Sequence, residues 1–206
     1  MPNINAPAGL APVMYRNGAK WNGQARLYAI AAADINAIYV GDPVKVTGAA
    51  DANGVQVVTL ATAGAIMRGV VVSVGVALPY GYQGGPMINP NDLTKTNRPS
   101  GAQSQVYFAM VVDDPNVIFE IQEAYTATPT TNAQMAKNAN FVYAAPATGV
   151  YWSGVTLDQS TLAVTATLNL KILGAVQRLD NTPYTTYQRL LVSINNHDFN
   201  AGIVGL

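Results

Sequence analysis

Hydrophobic and polar positions alternate with a period of two over several stretches, which is the pattern of half-buried strands. In residues 117–122, Val117, Phe119 and Ile121 share one face, while Ile118, Glu120 and Gln122 share the other. Residues 106–112 form a second apolar run, and Asp113-Asp114-Pro115-Asn116 lies between the two. The spacing predicts a hairpin. From Thr165 the alternation puts Ala166, Leu168, Leu170 and Ile172 on one side, with Thr165, Thr167, Asn169 and Lys171 on the other. Residues 188–194 repeat it, with Leu190, Val192 and Ile194 inward. Upstream, a strand starts at Arg26. Gly41-Asp42-Pro43 turns into a strand over 44–47, and Asp51-Ala52-Asn53-Gly54 is a tight-turn signal before a strand over 55–60. Residues 69–76 are β-branched and bounded by glycine, as in a buried strand. Residues 131–137 predict one short helix, capped by Thr131 or Asn132.

The remaining segments lack periodicity. Residues 1–25 carry Pro2, Pro7 and Pro12 with Gly9, Gly18 and Gly23, which predicts an extended arm. Its Leu10, Val13, Met14, Tyr15 and Trp21 are too apolar for a free linker, so the arm docks on its own body or on a neighbour. Residues 79–105 alternate proline and glycine and form a long loop bearing Tyr80, Tyr82 and Met87, with Lys95 and Arg98 at its end. Loops beyond about 12–15 residues are commonly functional or disordered. The end of the chain, 201–206, is apolar and uncharged. No repeat recurs at a fixed period. The expected fold is all-β: a sandwich or barrel-like domain over 26–206, with the 79–105 loop inserted, an N-terminal arm over 1–25 and an apolar C-terminal tail.

Composition sharpens this reading. The 206 residues are 50% hydrophobic and only 11% charged. A typical soluble domain is about 25% charged. Eleven basic and eleven acidic residues cancel, which argues against a globally basic nucleic-acid binder and removes repulsion between copies. Low charge with high apolar content suggests surface covered by partners. Cysteine is absent, so disulfides, thiol chemistry and cysteine-ligated metals are excluded. The first residues have no basic or apolar region of a signal peptide, and no apolar run is long enough for a spanning helix. Synthesis and solubility in a cytoplasm are expected.

Candidate chemistry is sparse. His197 is the single histidine, in Asn195-Asn196-His197-Asp198, and reads as a polar turn after the last strand. No Gly-x-Ser-x-Gly elbow accompanies it. Glu120 and Glu123 are the only glutamates, and an i, i+3 pair on a strand cannot flank one bond. They read as solvated strand-end charges. Asp113 and Asp114 with Asn116 offer too few oxygens for calcium, and Asp51-Ala52-Asn53-Gly54 opens like a calcium loop but lacks a Glu at its last position, so both read as turns. Gly81 to Pro86 lacks the Lys-Ser/Thr and helix of a phosphate loop. Tyr80, Tyr82, Tyr125, Tyr143, Tyr151, Trp152, Tyr184 and Tyr187 could form a stacking platform if the fold gathers them, and tyrosine also favours protein contacts. No enzyme, cofactor or metal site is expected.

Several stretches together resemble a known family. These are Ala6-Pro7-Ala8-Gly9-Leu10-Ala11-Pro12-Val13, Trp21-Asn22-Gly23-Gln24, Gly41-Asp42-Pro43-Val44 and Ala50-Asp51-Ala52-Asn53-Gly54. Val112-Asp113-Asp114-Pro115, Phe119-Glu120-Ile121-Gln122-Glu123, Ala166-Thr167-Leu168 through Ile172-Leu173-Gly174, and Leu191 through His197 complete the set. The whole resembles structural proteins encoded beside the major capsid gene of tailed bacteriophages, the capsid decoration or cement proteins. The resemblance runs through most of the chain and rests on turn and strand patterns. It implies a non-enzymatic protein on the outside of an expanded capsid, usually a dimer or trimer, bridging neighbouring capsid subunits. The implied partners are the major capsid protein and further copies of the chain, with neither nucleic acid nor membrane.

The contact residues expected from composition are Leu10, Val13, Tyr15 and Trp21 of the arm, Tyr80, Tyr82 and Met87 of the loop, and Phe199, Ile203 and Val204 of the tail. A rival reading is a tail or fibre component whose tyrosines touch host glycans. A shell or scaffold subunit ranks behind it, because long helices are missing from the pattern. An enzyme ranks last.

Overall fold

The computed structural model describes residues 3–75, 97–124, 128–146 and 150–200. The chain is all-β, and among the described residues one 3-10 turn occurs, at Asn132–Gln134. Five strands close a barrel: β2 (Arg26–Ile30), β4 (Pro43–Ala50), β5 (Gln56–Leu60), β6 (Gly69–Gly75) and β8 (Tyr107–Val112), in the order β2-β5-β4-β6-β8. Six strands form an antiparallel sheet: β1 (Ala11–Tyr15), β9 (Val117–Gln122), β10 (Asn138–Val142), β11 (Thr156–Ala163), β12 (Leu170–Ala175) and β13 (Arg189–Ile194), ordered β1-β9-β13-β12-β10-β11. A small ladder pairs β3 (Ile38–Tyr39) with β7 (Asn97–Arg98).

Period-two alternation assigns each strand's side chains to separate cores. Tyr107, Ala109 and Val111 of β8 point into the barrel with Tyr28, Ile30, Val44, Val58, Val71 and Val74. Val112 instead joins the larger core, where Val70 and Met67 from the barrel side meet Phe119, Ile121, Phe141, Leu157, Leu170, Ile172, Leu190 and Val192 of the sheet. One core is therefore shared between the two bodies.

The strands at 106–112 and 117–122 lie where the sequence pattern puts them, but they do not pair. β8 bonds to β2 and β6 in the barrel; β9 bonds to β1 and β13 in the sheet. The turn between them is present: Asn116 donates its backbone N–H to Asp114 Oδ1 at 2.8 Å. It carries the chain from one body to the other instead of closing a hairpin. The tight turn at Asp51 does close one, between β4 and β5, with the Val55 N–H on Asp51 Oδ1 at 2.8 Å.

Three further expectations shift. Residues 165–169 form a turn, and β12 begins at Leu170, so the alternation describes a strand only from there. The helix expected over 131–137 shrinks to the 3-10 turn, with the Thr131 N–H on Gln134 Oε1 at 2.9 Å. Residues 11–15 of the arm form β1, an edge strand paired to β9.

Arg98 closes one end of the barrel's loops. It is fully buried, and its guanidinium donates to the carbonyls of Asn36 (2.7 Å), Pro99 (2.9 Å), Ala32 (3.2 Å) and Asp34. These oriented carbonyls replace part of the hydration the cation loses on burial.

Candidate functional site

Three segments converge beside the seam between barrel and sheet. Leu10 donates its N–H to the Gly41 carbonyl at 2.9 Å, and Ser153 donates its N–H to the Val40 carbonyl at 2.9 Å. The approach requires glycine. A Cβ on Gly9 would stand 2.4 Å from Gly41 O, and both glycines hold positive φ (67° and 95°). This junction fixes Trp152 and Ser153 at the start of the run into β11.

Above it lies a groove of about 790 Å³. Its walls are the arm at Asn5–Ala8, the segment after β10 from Val142 to Pro146, the segment before β11 from Val150, and Tyr187. Trp152 is 58% exposed, and Val142 and Val150 are each 41% exposed. No lining residue among those described carries a charge. Tyr143 anchors the wall: its one hydroxyl hydrogen is shared between the carbonyls of Ala61 (3.0 Å) and Pro43 (3.1 Å), and its ring meets Phe141 edge-on at 5.4 Å. Burial of that hydroxyl, with Asp42 nearby, pushes its pKa up.

Asp42 sits under the same wall. It accepts the Tyr39 N–H at 2.8 Å, and burial pushes its carboxyl up to about 6. Tyr187 holds a left-handed backbone (φ 61°), as does Tyr184 (φ 62°). Such conformations cost a bulky residue of order 1–3 kcal/mol and persist only when their surroundings enforce them. At Tyr184 the backbone N–H is held by Gln188, which accepts it at 2.9 Å and donates to Glu123 Oε2 at 2.6 Å and the Thr130 carbonyl at 2.7 Å.

The two glutamates are not solvated strand ends. Glu123 is buried and accepts from Thr130 and Gln188, and its burial raises its pKa. Glu120 is clasped by Arg178 (2.7 Å) and Arg189 (3.1 Å). Each carboxylate has its own partner set.

His197 does follow the last strand, but it is buried rather than solvated. It bridges to Met67 of the barrel side, and its Nδ1 accepts the Phe199 N–H at 3.0 Å. Burial and then the Arg68 guanidinium hold its pKa below the ordinary value. Arg68 pairs with Asp198 at 2.5 Å and lies over the Phe199 ring at 4.3 Å. Asp113 accepts from Tyr28 Oη at 2.8 Å and faces Arg26 at 3.6 Å. Asp114 serves its own turn. Among the described residues no three His, Asp or Glu side chains gather in a metal-holding group.

The expected contact residues separate. Leu10 is 1% exposed and packs in the chain's own core, so it is not an outward contact. Tyr15 and Trp21 lean against the same core. Val13 is half-buried, and its carbonyl accepts the Trp21 N–H at 3.1 Å. Phe199 is half-exposed over Arg68. Tyr80, Tyr82, Met87, Ile203 and Val204 lie outside the described residues. Of the aromatic set, Tyr143, Trp152 and Tyr187 gather in the groove, whereas Tyr184 lines a shallower depression beside β11. Val142 and Val150 carried no signal of their own, because an isolated valine reads equally as core.

Among the described residues no helix is long and apolar enough to cross a membrane. Comparison with protein families, with curated proteins and with solved structures yields no match.

Proposed function

We propose that the chain is a structural virion protein, a decoration or cement protein that binds the outer surface of a tailed-phage capsid and bridges its subunits. The observation that supports this reading is the uncharged groove with Trp152, Val142 and Val150 left open to solvent. Contiguous apolar surface rimmed by polar residues marks a contact site. On a symmetric shell each such contact recurs, so modest affinities add to tight retention. The partners are the major capsid protein and further copies of the chain.

The test is mass photometry of the purified protein, alone and with phage heads stripped of accessory proteins. Stoichiometric binding that restores resistance to heat or osmotic shock is the expected result. A chain that ignores the heads overturns the reading.

The gathering of Tyr143, Trp152 and Tyr187 in one groove favours one rival, a tail or fibre component stacking sugar rings on these aromatics. Signal on a glycan array, with no binding to heads, would establish that rival instead.

A further inference from the structure

We propose that His197 is a proton-operated latch: protonation of its imidazole releases residues 198–200 from the barrel side while barrel and sheet stay folded. The device is a property of the single chain and goes beyond the assembly reading.

The geometry makes a charged imidazole and a closed segment incompatible. His197 Nδ1 accepts the Phe199 N–H at 3.0 Å, so the neutral ring carries its hydrogen on Nε2. Nε2 is buried and has no partner among the described residues. A second proton can enter only at Nδ1. There it would face the Phe199 N–H, donor against donor, and the turn would lose its hydrogen bond. The residue is 3% exposed, so the charge reaches water only if the segment swings out.

Charged groups face the ring from each packed element. Arg68 comes from the segment leading into β6, and Arg26 and Tyr28 from β2. Asp113 and Asp114 lie in the turn after β8, and Asp198 follows the ring in sequence. Burial and Arg68 outweigh the three carboxylates and favour the neutral ring.

The ties that must break are few. Asp198 donates its N–H to the Met67 carbonyl at 2.8 Å, and Asn200 donates its N–H to the His197 carbonyl at 3.0 Å. Arg68 pairs with Asp198 at 2.5 Å, and the Phe199 ring lies against Arg68 at 4.3 Å. All of these ties involve residues beyond Ile194, where β13 ends, and none is a rung of the barrel or the sheet. The Met67 N–H keeps its bond to the Asn196 carbonyl, upstream of the latch. Loss of the ion pair and the ring contact is the cost that holds the segment shut at neutral pH.

Linkage fixes the response. An open imidazole titrates at the ordinary 6.5 and a closed one lower. The opening equilibrium therefore rises about tenfold for each pH unit lost between 6.5 and the lowered value.

The test is amide hydrogen exchange by NMR on the full chain from about pH 8 to 4.5, each rate divided by the intrinsic rate at that pH. Protection of Asp198, Phe199 and Asn200 should fall about tenfold per unit below 6.5, while Phe119 and Val192 in the sheet stay protected. In His197→Asn the side-chain oxygen takes the Phe199 N–H without titrating, so protection should be flat across the range. Protection of the segment that does not change with pH in the natural chain overturns the proposal. Loss shared equally by Phe119 and Val192 also overturns it, as acid unfolding of the whole molecule. The same slope in His197→Asn overturns it too, by moving the sensor to a carboxylate. If dichroism finds that variant misfolded, the onset decides: a fall beginning at 6.5 upholds the imidazole, and one beginning near the 3.8 of an ordinary aspartate overturns it.

Discussion

Buried charge makes single residues sensitive to pH and to the loss of a partner. Asp42 has its pKa raised from 3.8 to about 6 by burial. The native state therefore holds this proton between those pH values while the unfolded chain has lost it. Stability falls as pH rises through that window and stays lower above it. Asp42→Asn keeps an oxygen for the Tyr39 N–H and removes the charge. We expect it to flatten the slope of stability against pH between about 4 and 6 and to gain up to roughly 3 kcal/mol at pH 7. Urea melts of both proteins at four pH values read this directly. His197 has the opposite sign. Its pKa is lowered, so its contribution is full above 6.5 and is lost as pH falls through 6.5 toward the folded value. NMR titration should find its imidazole neutral at pH values where a free histidine is already half protonated. Glu120 and Arg178 differ in worth although they touch. The Glu120 side chain is 8% exposed and the Arg178 side chain 44%. Glu120→Ala strips two arginines of their shared partner and should cost about 2–3 kcal/mol. Arg178→Ala leaves Arg189 in place and should cost under about 1 kcal/mol.

Strands with clear alternation, β9 and β13 above all, were legible, whereas β10 and β11 were not read as strands and no strand's partner was legible. Alternation reports which residues share a face, so β9 and β13 emerge with Phe119, Ile121, Leu190 and Val192 inward as observed. It carries no information about which strand lies alongside. β8 and β9 are buried along most of their length on both faces, so neither has a solvent side that would betray its sheet. The turn at Asp113–Asn116 reverses nothing that must pair; it passes between bodies. The parallel contact of β2 with β5, between Ala29 and Val57, is equally invisible, because parallel neighbours need not be adjacent in sequence. The groove was half legible. Its aromatics stood out by type, but the valines beside them became visible only when the junction at Gly9, Gly41 and Ser153 placed them. Strand glycines give an element-scale prediction. A Cβ on Gly69 in β6 would stand 2.1 Å from the Val112 carbonyl oxygen of β8. Gly69→Ala must push the two strands apart and should cost about 2–3 kcal/mol. Gly174 in β12 has nothing within 4 Å of its virtual Cβ and no positive φ. Gly174→Ala should be neutral or stabilising by up to about 1 kcal/mol, through the unfolded chain's lost freedom. Denaturant midpoints at unchanged m separate the two.

The barrel and the sheet could have been independent units, and the shared core argues that they are not. Ala61, Met67, Val70 and Val112 belong to the barrel half, yet their side chains complete the core built by the sheet. Met67 also donates its N–H to the Asn196 carbonyl (2.9 Å), and the Asp198 N–H returns to the Met67 carbonyl (2.8 Å), so the end of the sheet's last strand is stitched to the barrel. Opening the barrel alone would expose the sheet's core and leave these backbone groups unpaired, a cost of several kcal/mol that the partly opened state could not recover. Unfolding should therefore be a single transition. Far-ultraviolet dichroism reports all strands, whereas tryptophan fluorescence reports Trp21 on the sheet side and Trp152 at the junction. Both probes should give one coincident urea transition, and the calorimetric and van't Hoff enthalpies should agree. Met67→Ala is the sharper check. It removes a fully buried side chain from the seam without touching either sheet's hydrogen-bonded ladder. A loss of about 2–5 kcal/mol with the two probes still coincident would mark the seam as part of one cooperative unit. Separation of the probes, with fluorescence moving first, would mean that barrel and sheet unfold in turn.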